Sequence, residues 1–229
     1  MTAKVQKLLN DSGVARWSAL VLIALMMFFA YMFVDVLSPL STLLETSKGW
    51  SAETYGTFCS SEYFLNVFAF FLIFAGIILD KMGFRFTGIL SAAVMVIGAS
   101  IKLYAISDLF TPENGLYRFL DSFWTSFPPT AKLASVGFMI FGCGVEMGGV
   151  TVSKAIAKWF KGKEMALAMG LEMAIARLGV FAVLSASPRL ADKFGNVEAP
   201  ILFCVVLLLI GLVNFMVFSV MDARLDKQM

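Results

Sequence analysis

Gly76-Ile77-Ile78-Leu79-Asp80-Lys81-Met82-Gly83-Phe84-Arg85 joins two long apolar stretches with almost no loop between them. Gly83 supplies the unusual backbone angle that a tight turn needs. Gly76 permits a neighbouring helix to approach closely, and Asp80 is placed to accept hydrogen bonds from the free amides that open the next helix. Lys81 and Arg85 hold the turn in the cytoplasm. A second tetrapeptide, Asp192-Lys193-Phe194-Gly195, matches Asp80-Lys81-Met82-Gly83 at three of four positions. Three helical crossings separate the two copies, so they face opposite sides of a membrane. That is the mark of a three-plus-three inverted-topology repeat.

The rest of the chain agrees with a membrane setting. Its 229 residues are 59% hydrophobic and 15% charged, with a mean hydropathy of +0.85, whereas soluble domains hold about 45–50% apolar and about 25% charged residues. About 20 mostly apolar residues cross a hydrocarbon core about 30 Å thick. Six stretches qualify: residues 16–40, 54–79, 84–106, 132–158, 165–187 and 200–221. None alternates as a membrane barrel strand would, and lipid obliges the backbone to bond to itself, so the expected fold is an all-α integral membrane bundle over residues 1–229.

The first span is followed by Asp35 and Pro39 with no small-residue cleavage site, so it is expected to stay in place and not to be a signal peptide. Lys4, Lys7, Arg16, Lys81, Arg85, Lys154, Lys158, Lys161, Lys163, Arg224 and Lys227 fall on one side, against Lys48, Arg118, Lys132, Arg189 and Lys193 on the other. This bias puts both termini in the cytoplasm, with the plasma or inner membrane the expected location. The connection over residues 107–131 then lies outside, and Phe119, Phe123, Trp124 and Phe127 predict a short interfacial helix there. Trp159-Phe160 reads as an interfacial anchor at the cytoplasmic surface.

Several chemistries are excluded. Histidine is absent, and Cys59, Cys143 and Cys204 stand far apart, so zinc sites, haem ligation and Ser-His or Cys-His catalysis have no residues. No Gly-rich phosphate loop is present. We expect no enzyme activity, no cofactor and no metal. The net charge of +2 is spread in short clusters and gives nucleic acid no basic face.

The turn motif resembles that of the major facilitator superfamily, G-x-x-x-D-(R/K)-x-G-x-(R/K), matched by Gly76, Asp80, Lys81, Gly83 and Arg85. The degenerate copy after the fifth span is also a habit of that family. The resemblance implies a conformational latch whose Asp braces the neighbouring half of the transporter. It also implies twelve helices in two halves, of which this sequence matches the first. If the natural chain ends at Met229, a second six-helix half is expected, either another copy or a separate chain.

Ionisable groups inside spans cost about 2.5–3.5 kcal/mol each on insertion scales and call for a reason. Lys102, near the outer end of its span, is expected to snorkel. Glu146 and Arg177 lie near the middles of two antiparallel spans, at the depth where secondary transporters bind substrate. Two readings stand: a permanent ion pair that locks the helices, or a clamp in which Arg177 takes a carboxylate and Glu146 an ammonium. Gly142, Gly144, Gly148 and Gly149 would let another helix or a ligand backbone come close to Glu146.

Gly142-Cys-Gly-Val-Glu146, Lys158-Trp-Phe-Lys-Gly-Lys-Glu164, Gly170 and Ala176-Arg177 resemble the superfamily branch containing the lysosomal dipeptide carrier. Tyr31, Asp35, Pro39 and Asn66-Val67 resemble it as well. The resemblance implies that Glu146 and Arg177, spaced as in that branch, are the groups that hold a dipeptide's amino and carboxyl termini. Asp35, Glu62 and Asn66 form a candidate proton-binding or entrance site. Glu172, five residues and about 140° from Arg177, is given no role. The expected function is movement of a small zwitterionic or anionic solute, short peptides in particular, by alternating access, in partnership with the lipid bilayer. The rival reading is a non-transporting membrane subunit or scaffold.

Overall fold

In a computed structural model of the chain, residues 8–228 are described; Lys4 and Lys7 of the charge bias lie outside them. No strand occurs among the described residues. The helices are α1 (Gly13–Val34), α2 (Ser41–Lys48), α3 (Ala52–Phe68), α4 (Phe71–Ile106), α5 (Gly115–Asp121), α6 (Pro129–Trp159), α7 (Met165–Phe194) and α8 (Glu198–Asp226). Local chemistry sets several ends. Ser12 and Ser51 cap α1 and α3 by accepting from Ala15 N–H and Thr54 N–H. Pro129 sits in the first turn of α6, where its missing N–H costs nothing.

Among the described residues, five helical stretches are long and apolar enough to cross a membrane: Gly13–Lys48, Phe71–Ile106, Pro129–Trp159, Met165–Phe194 and Glu198–Asp226. The stretch at 54–79 differs from expectation, because it is not one helix. Helix α3 stops at Phe68, Phe70 takes a left-handed backbone with φ 50°, and α4 starts at Phe71. Residues 57–75 contain neither Gly nor Pro, so no sequence signal announces the break. The second discontinuity was legible: Gly83, at φ 77° and ψ 163°, divides α4 into residues 71–82 and 84–106. Gly195, its counterpart in the second copy, also has positive φ and caps the C-terminus of α7.

Packing is tightest where backbones meet. A Cβ on Gly98 would come within 2.5 Å of the Gly137 carbonyl oxygen, so α4 and α6 touch backbone to backbone. Ser91 Oγ on α4 fastens the same pair by donating to the Gly144 carbonyl at 2.8 Å. Helix α6 also packs on α3, while α1 packs on α7 and α8, and α4 and α8 pack on each other. Without water to drive apolar groups together, such close approach and interhelical hydrogen bonds carry association.

A charge network closes the end of the bundle that carries Gly83. Asp222 of α8 is wholly buried and accepts from Lys158 Nζ at 2.8 Å and Trp159 Nε1 at 2.9 Å, with Arg85 Nε 3.7 Å away. Asp226 receives Lys158 and Arg85 as well. Trp159 and Phe160 are each 1% exposed, which corrects the reading of that pair as an interfacial anchor. Trp159 donates to Asp222, and Phe160 packs edge-on against Trp17 under Arg16. On the same end Lys163 binds Asp11 at 2.8 Å and Arg16 binds Glu164 at 3.1 Å. Hydrogen bonds from Lys163 and from the Leu8 backbone hold the Asp11 carboxyl below its ordinary range. Glu164 is held low by a hydrogen bond from its own amide and by the Arg16 guanidinium.

At the opposite end, α5 is a seven-residue helix with Phe119 exposed, followed by exposed Phe123 and Trp124; Phe127 is buried. Lys132 of α6 ties this segment down by donating to the carbonyls of Leu120 and Phe123.

Candidate functional site

A cavity of about 460 Å³ opens between α1, α6 and α7, lined by Tyr31, Glu146, Gly149, Ser153, Glu172 and Met173, among others. Helix periodicity explains the set. Glu146, Gly149 and Ser153 are spaced by three and four residues and share one face of α6. Gly149 has open space where a Cβ would stand. The other three glycines do different work: Gly142 lies against the Glu62 backbone, Gly144 against Met95 and Ser91, and Gly148 against Ser91 and Met27. They seat α6 on its neighbours, leaving Gly149 as the glycine that opens the cavity.

Glu146 is half-buried and Arg177 is exposed. No ion pair joins them among the described residues. The Arg177 guanidinium carbon instead stands 5.0 Å from the centroid of the Tyr31 ring, which lines the cavity. Glu172, left without a role by its helical angle to Arg177, is 8% exposed and lines the cavity beside Glu146. Five residues separate Glu172 from Arg177, about 7.5 Å along the axis; Arg177 stands over the Tyr31 ring, and Glu172 lines the same cavity as that ring. The site brings together two carboxylates, a phenol and a guanidinium. Two carboxylates in one half-buried cavity favour an ammonium, and the planar guanidinium suits a carboxylate.

Asp35, Glu62 and Asn66 are placed differently from one another. Asp35 ends α1 and accepts from Ser38 Oγ at 3.0 Å. Glu62 is 6% exposed and its Cγ lies 3.0 Å from where a Gly142 Cβ would project. Asn66, one turn on, has both amide atoms buried without a hydrogen-bond partner among the described residues, just before the break at Phe70. Neither Asp35, Glu62 nor Asn66 lines the cavity around Glu146.

Lys102 overturns the expectation of snorkelling. It is 0% exposed, and Nζ lies 4.2 Å, 4.4 Å and 5.0 Å from the ring centroids of Phe138, Phe33 and Phe58. Nζ has no hydrogen-bond partner among the described residues. Three ring faces replace water around the ammonium. Only the fold, which gathers Phe33 from α1, Phe58 from α3 and Phe138 from α6, makes this visible.

The latch residues also differ in detail from expectation. Asp80 is exposed and pairs with Lys154 Nζ at 2.7 Å, so it braces α6 and does not cap the following helix. Gly76 has open space around it, with no neighbouring helix in close approach. Lys81 is exposed, Gly83 makes the kink, and Arg85 reaches Asp222 and Asp226.

The family model described as Major Facilitator Superfamily matches residues 23–228. Among curated proteins, the chain is 29% identical over 107 residues to the lysosomal dipeptide transporter MFSD1 of Bos taurus, covering 46% of this chain and 19% of that protein. The Mus musculus protein of the same name is 30% identical over 115 residues, 50% of this chain and 20% of the relative. That of Danio rerio is 45% identical over 47 residues, 20% of this chain and 10% of the relative. The matched part therefore spans a fifth or less of each of these relatives. No solved structure matches the chain.

Proposed function

This chain belongs to the major facilitator superfamily, and on that premise we propose that it is a half-unit of a carrier moving a small zwitterionic or anionic solute, short peptides in particular. Membership makes it an integral membrane protein with a transporter role; the solute and the division of labour between halves are our reading. One observation carries it: a cavity between α1, α6 and α7 holds Glu146 and Glu172, with Arg177 standing against the Tyr31 that lines it. A dipeptide presents one ammonium and one carboxylate a few ångströms apart. Glu146, with Glu172 beside it, receives the first, and Arg177 the second.

Six crossings fit the same account when α3 and residues 71–82 are taken as one broken span. The packing then supports the reading of a three-plus-three inverted repeat. Exchanging the first three spans for the last three carries the α1 contacts with α7 and α8 into the α6 contacts with α3 and α4, and the α4–α8 contact into itself. With both termini in the cytoplasm, the Asp222 network closes the inner end. Asp35 and Glu62 stand nearer the outer end, with Asn66 one turn further in, as an entrance or proton-binding group, and a plasma or inner membrane remains the expected location. A second six-helix half, from the same protein or another copy, would cover the open side of the cavity.

Uptake of a labelled dipeptide into proteoliposomes containing the complete carrier tests this. Arg177→Lys keeps the charge but loses the planar fork, so expression should persist while uptake falls. Unchanged uptake would remove Arg177 from the site.

A further inference from the structure

We propose that the groove between α4, α7 and α8 at the Gly195 end binds one aminophospholipid of the phosphatidylethanolamine kind. The groove encloses about 820 Å³. Leu103, Leu190, Leu202, Phe203 and Val206 form an apolar wall, and Tyr104, Lys193, Asn196 and Glu198 lie at its polar rim. From Glu198 to Val206, α8 descends about 12 Å, a depth for the upper part of an acyl chain below a headgroup held at the rim. The groove faces lipid and not the solute cavity. Along α8 the exposed side chains beyond it are apolar, among them Leu209, Ile210, Val213 and Val217, whereas Tyr31, Glu146 and Glu172 gather between α1, α6 and α7.

The rim's unused hydrogen-bonding groups select the headgroup. Lys193 makes no ion pair and no hydrogen bond among the described residues. Three other cations at this end are engaged: Lys48 on Asp108 at 2.8 Å, Arg118 on the Pro112 carbonyl at 2.9 Å, and Lys132 on the carbonyls of Leu120 and Phe123; Arg189 makes no such contact among the described residues but does not line the groove. Lys193 is thus the groove's cation for a phosphate. Glu198 uses Oε1 to accept from the Asp108 amide at 2.8 Å and has Oε2 left for an ammonium. Asn196 accepts through Oδ1 from Ala199 N–H, leaving its NH₂ group to donate. Tyr104 accepts from Asn114 Nδ2 at 2.6 Å, leaving its own proton for an ester carbonyl. A cation, a carboxylate and two neutral donors complement a phosphate, a primary ammonium and an ester. Phosphatidylglycerol offers Glu198 no cation, and the trimethylated nitrogen of phosphatidylcholine has no N–H to give it.

Native mass spectrometry of the delipidated protein decides this, with phosphatidylethanolamine, phosphatidylglycerol and phosphatidylcholine of identical acyl chains added in turn. Phosphatidylethanolamine should be retained at least about tenfold more than either other lipid, about 1.4 kcal/mol. Glu198→Gln should abolish that preference, Lys193→Gln should lower retention of all three lipids through the phosphate they share, and Lys193→Arg should keep both retention and preference. Ser100→Trp, which fills the groove without touching the rim charges, should lower retention of the lipid. Circular dichroism of each variant confirms that the helices persist. Equal retention of the three lipids, stronger retention of phosphatidylglycerol, or a preference that survives in the Lys193→Gln/Glu198→Gln double variant would overturn the proposal.

Discussion

The Arg177 guanidinium carbon lies 5.0 Å from the centroid of the Tyr31 ring and makes no ion pair with Glu146 among the described residues. A permanent ion pair would spend both charges on the fold. Held by an aromatic face instead, the guanidinium keeps its N–H fork free for a ligand carboxylate.

The Tyr31 ring should therefore be needed for Arg177 to work. A cation–π contact contributes about 0.5–2 kcal/mol, so Tyr31→Leu should weaken dipeptide binding by about 2- to 30-fold. Tyr31→Phe should cost less, because it keeps the ring. Isothermal titration on both variants checks this, and equal losses would assign the effect to the hydroxyl.

Asp80 and Asp222 should separate motion from stability. Asp80 is exposed, and an exposed ion pair contributes about 0–1 kcal/mol, so Asp80→Ala should barely move the thermal midpoint while slowing flux. Asp222 is fully buried with Lys158 and Trp159 on it. Breaking such a pair costs about 3–5 kcal/mol, and Asp222→Ala should unfold markedly earlier in nanodiscs.

Lys102 provides a test of burial. Lys102→Met keeps the length of the side chain within the Phe33, Phe58 and Phe138 rings and removes an unpaired buried charge, so the variant should be at least as stable as the wild type. Lys102→Ala leaves a cavity and should be about 2–5 kcal/mol less stable than Lys102→Met. Thermal unfolding of the pair reads the difference; a snorkelling lysine would leave both variants near the wild type.

These contrasts show where sequence reading works and where it stops. The Gly83 kink, the apolar helices and the charges of Glu146 and Arg177 follow from composition and from motifs a few residues long. The break at Phe70 does not, because no Gly or Pro marks it. Glu172 lines the cavity and Arg177 does not, in keeping with their separation around α7, but that Glu172 stands beside Glu146 depends on how three helices meet, which a single helix does not tell. Lys102 and Trp159 were misplaced for a related reason: hydropathy gives depth along a span but not which neighbour covers it.

Asp11 and Glu164 set an acid dependence. Both carboxyls are held below their ordinary range, by Lys163 first for Asp11 and by the Glu164 amide and then Arg16 for Glu164. A lowered folded pKa means the stabilisation is present above the unfolded value and is lost as pH falls through the folded one. Lys163→Met should be less stable than the wild type near about pH 7, and the gap should close toward about pH 3. Thermal midpoints across that range check it, and a constant gap would contradict the linkage.

The central claim is that Glu146 receives the amino terminus of the solute. Competition binding of free and N-acetylated dipeptides to the wild type and Glu146→Gln tests it most directly, with thermal stability measured on the same samples. A hydrogen bond to a charged group contributes about 1.5–3 kcal/mol, so the variant should lose about tenfold or more in affinity for the free dipeptide and little for the acetylated one. Equal losses for both ligands, accompanied by a lower thermal midpoint, would contradict the claim and return Glu146 to a purely structural role.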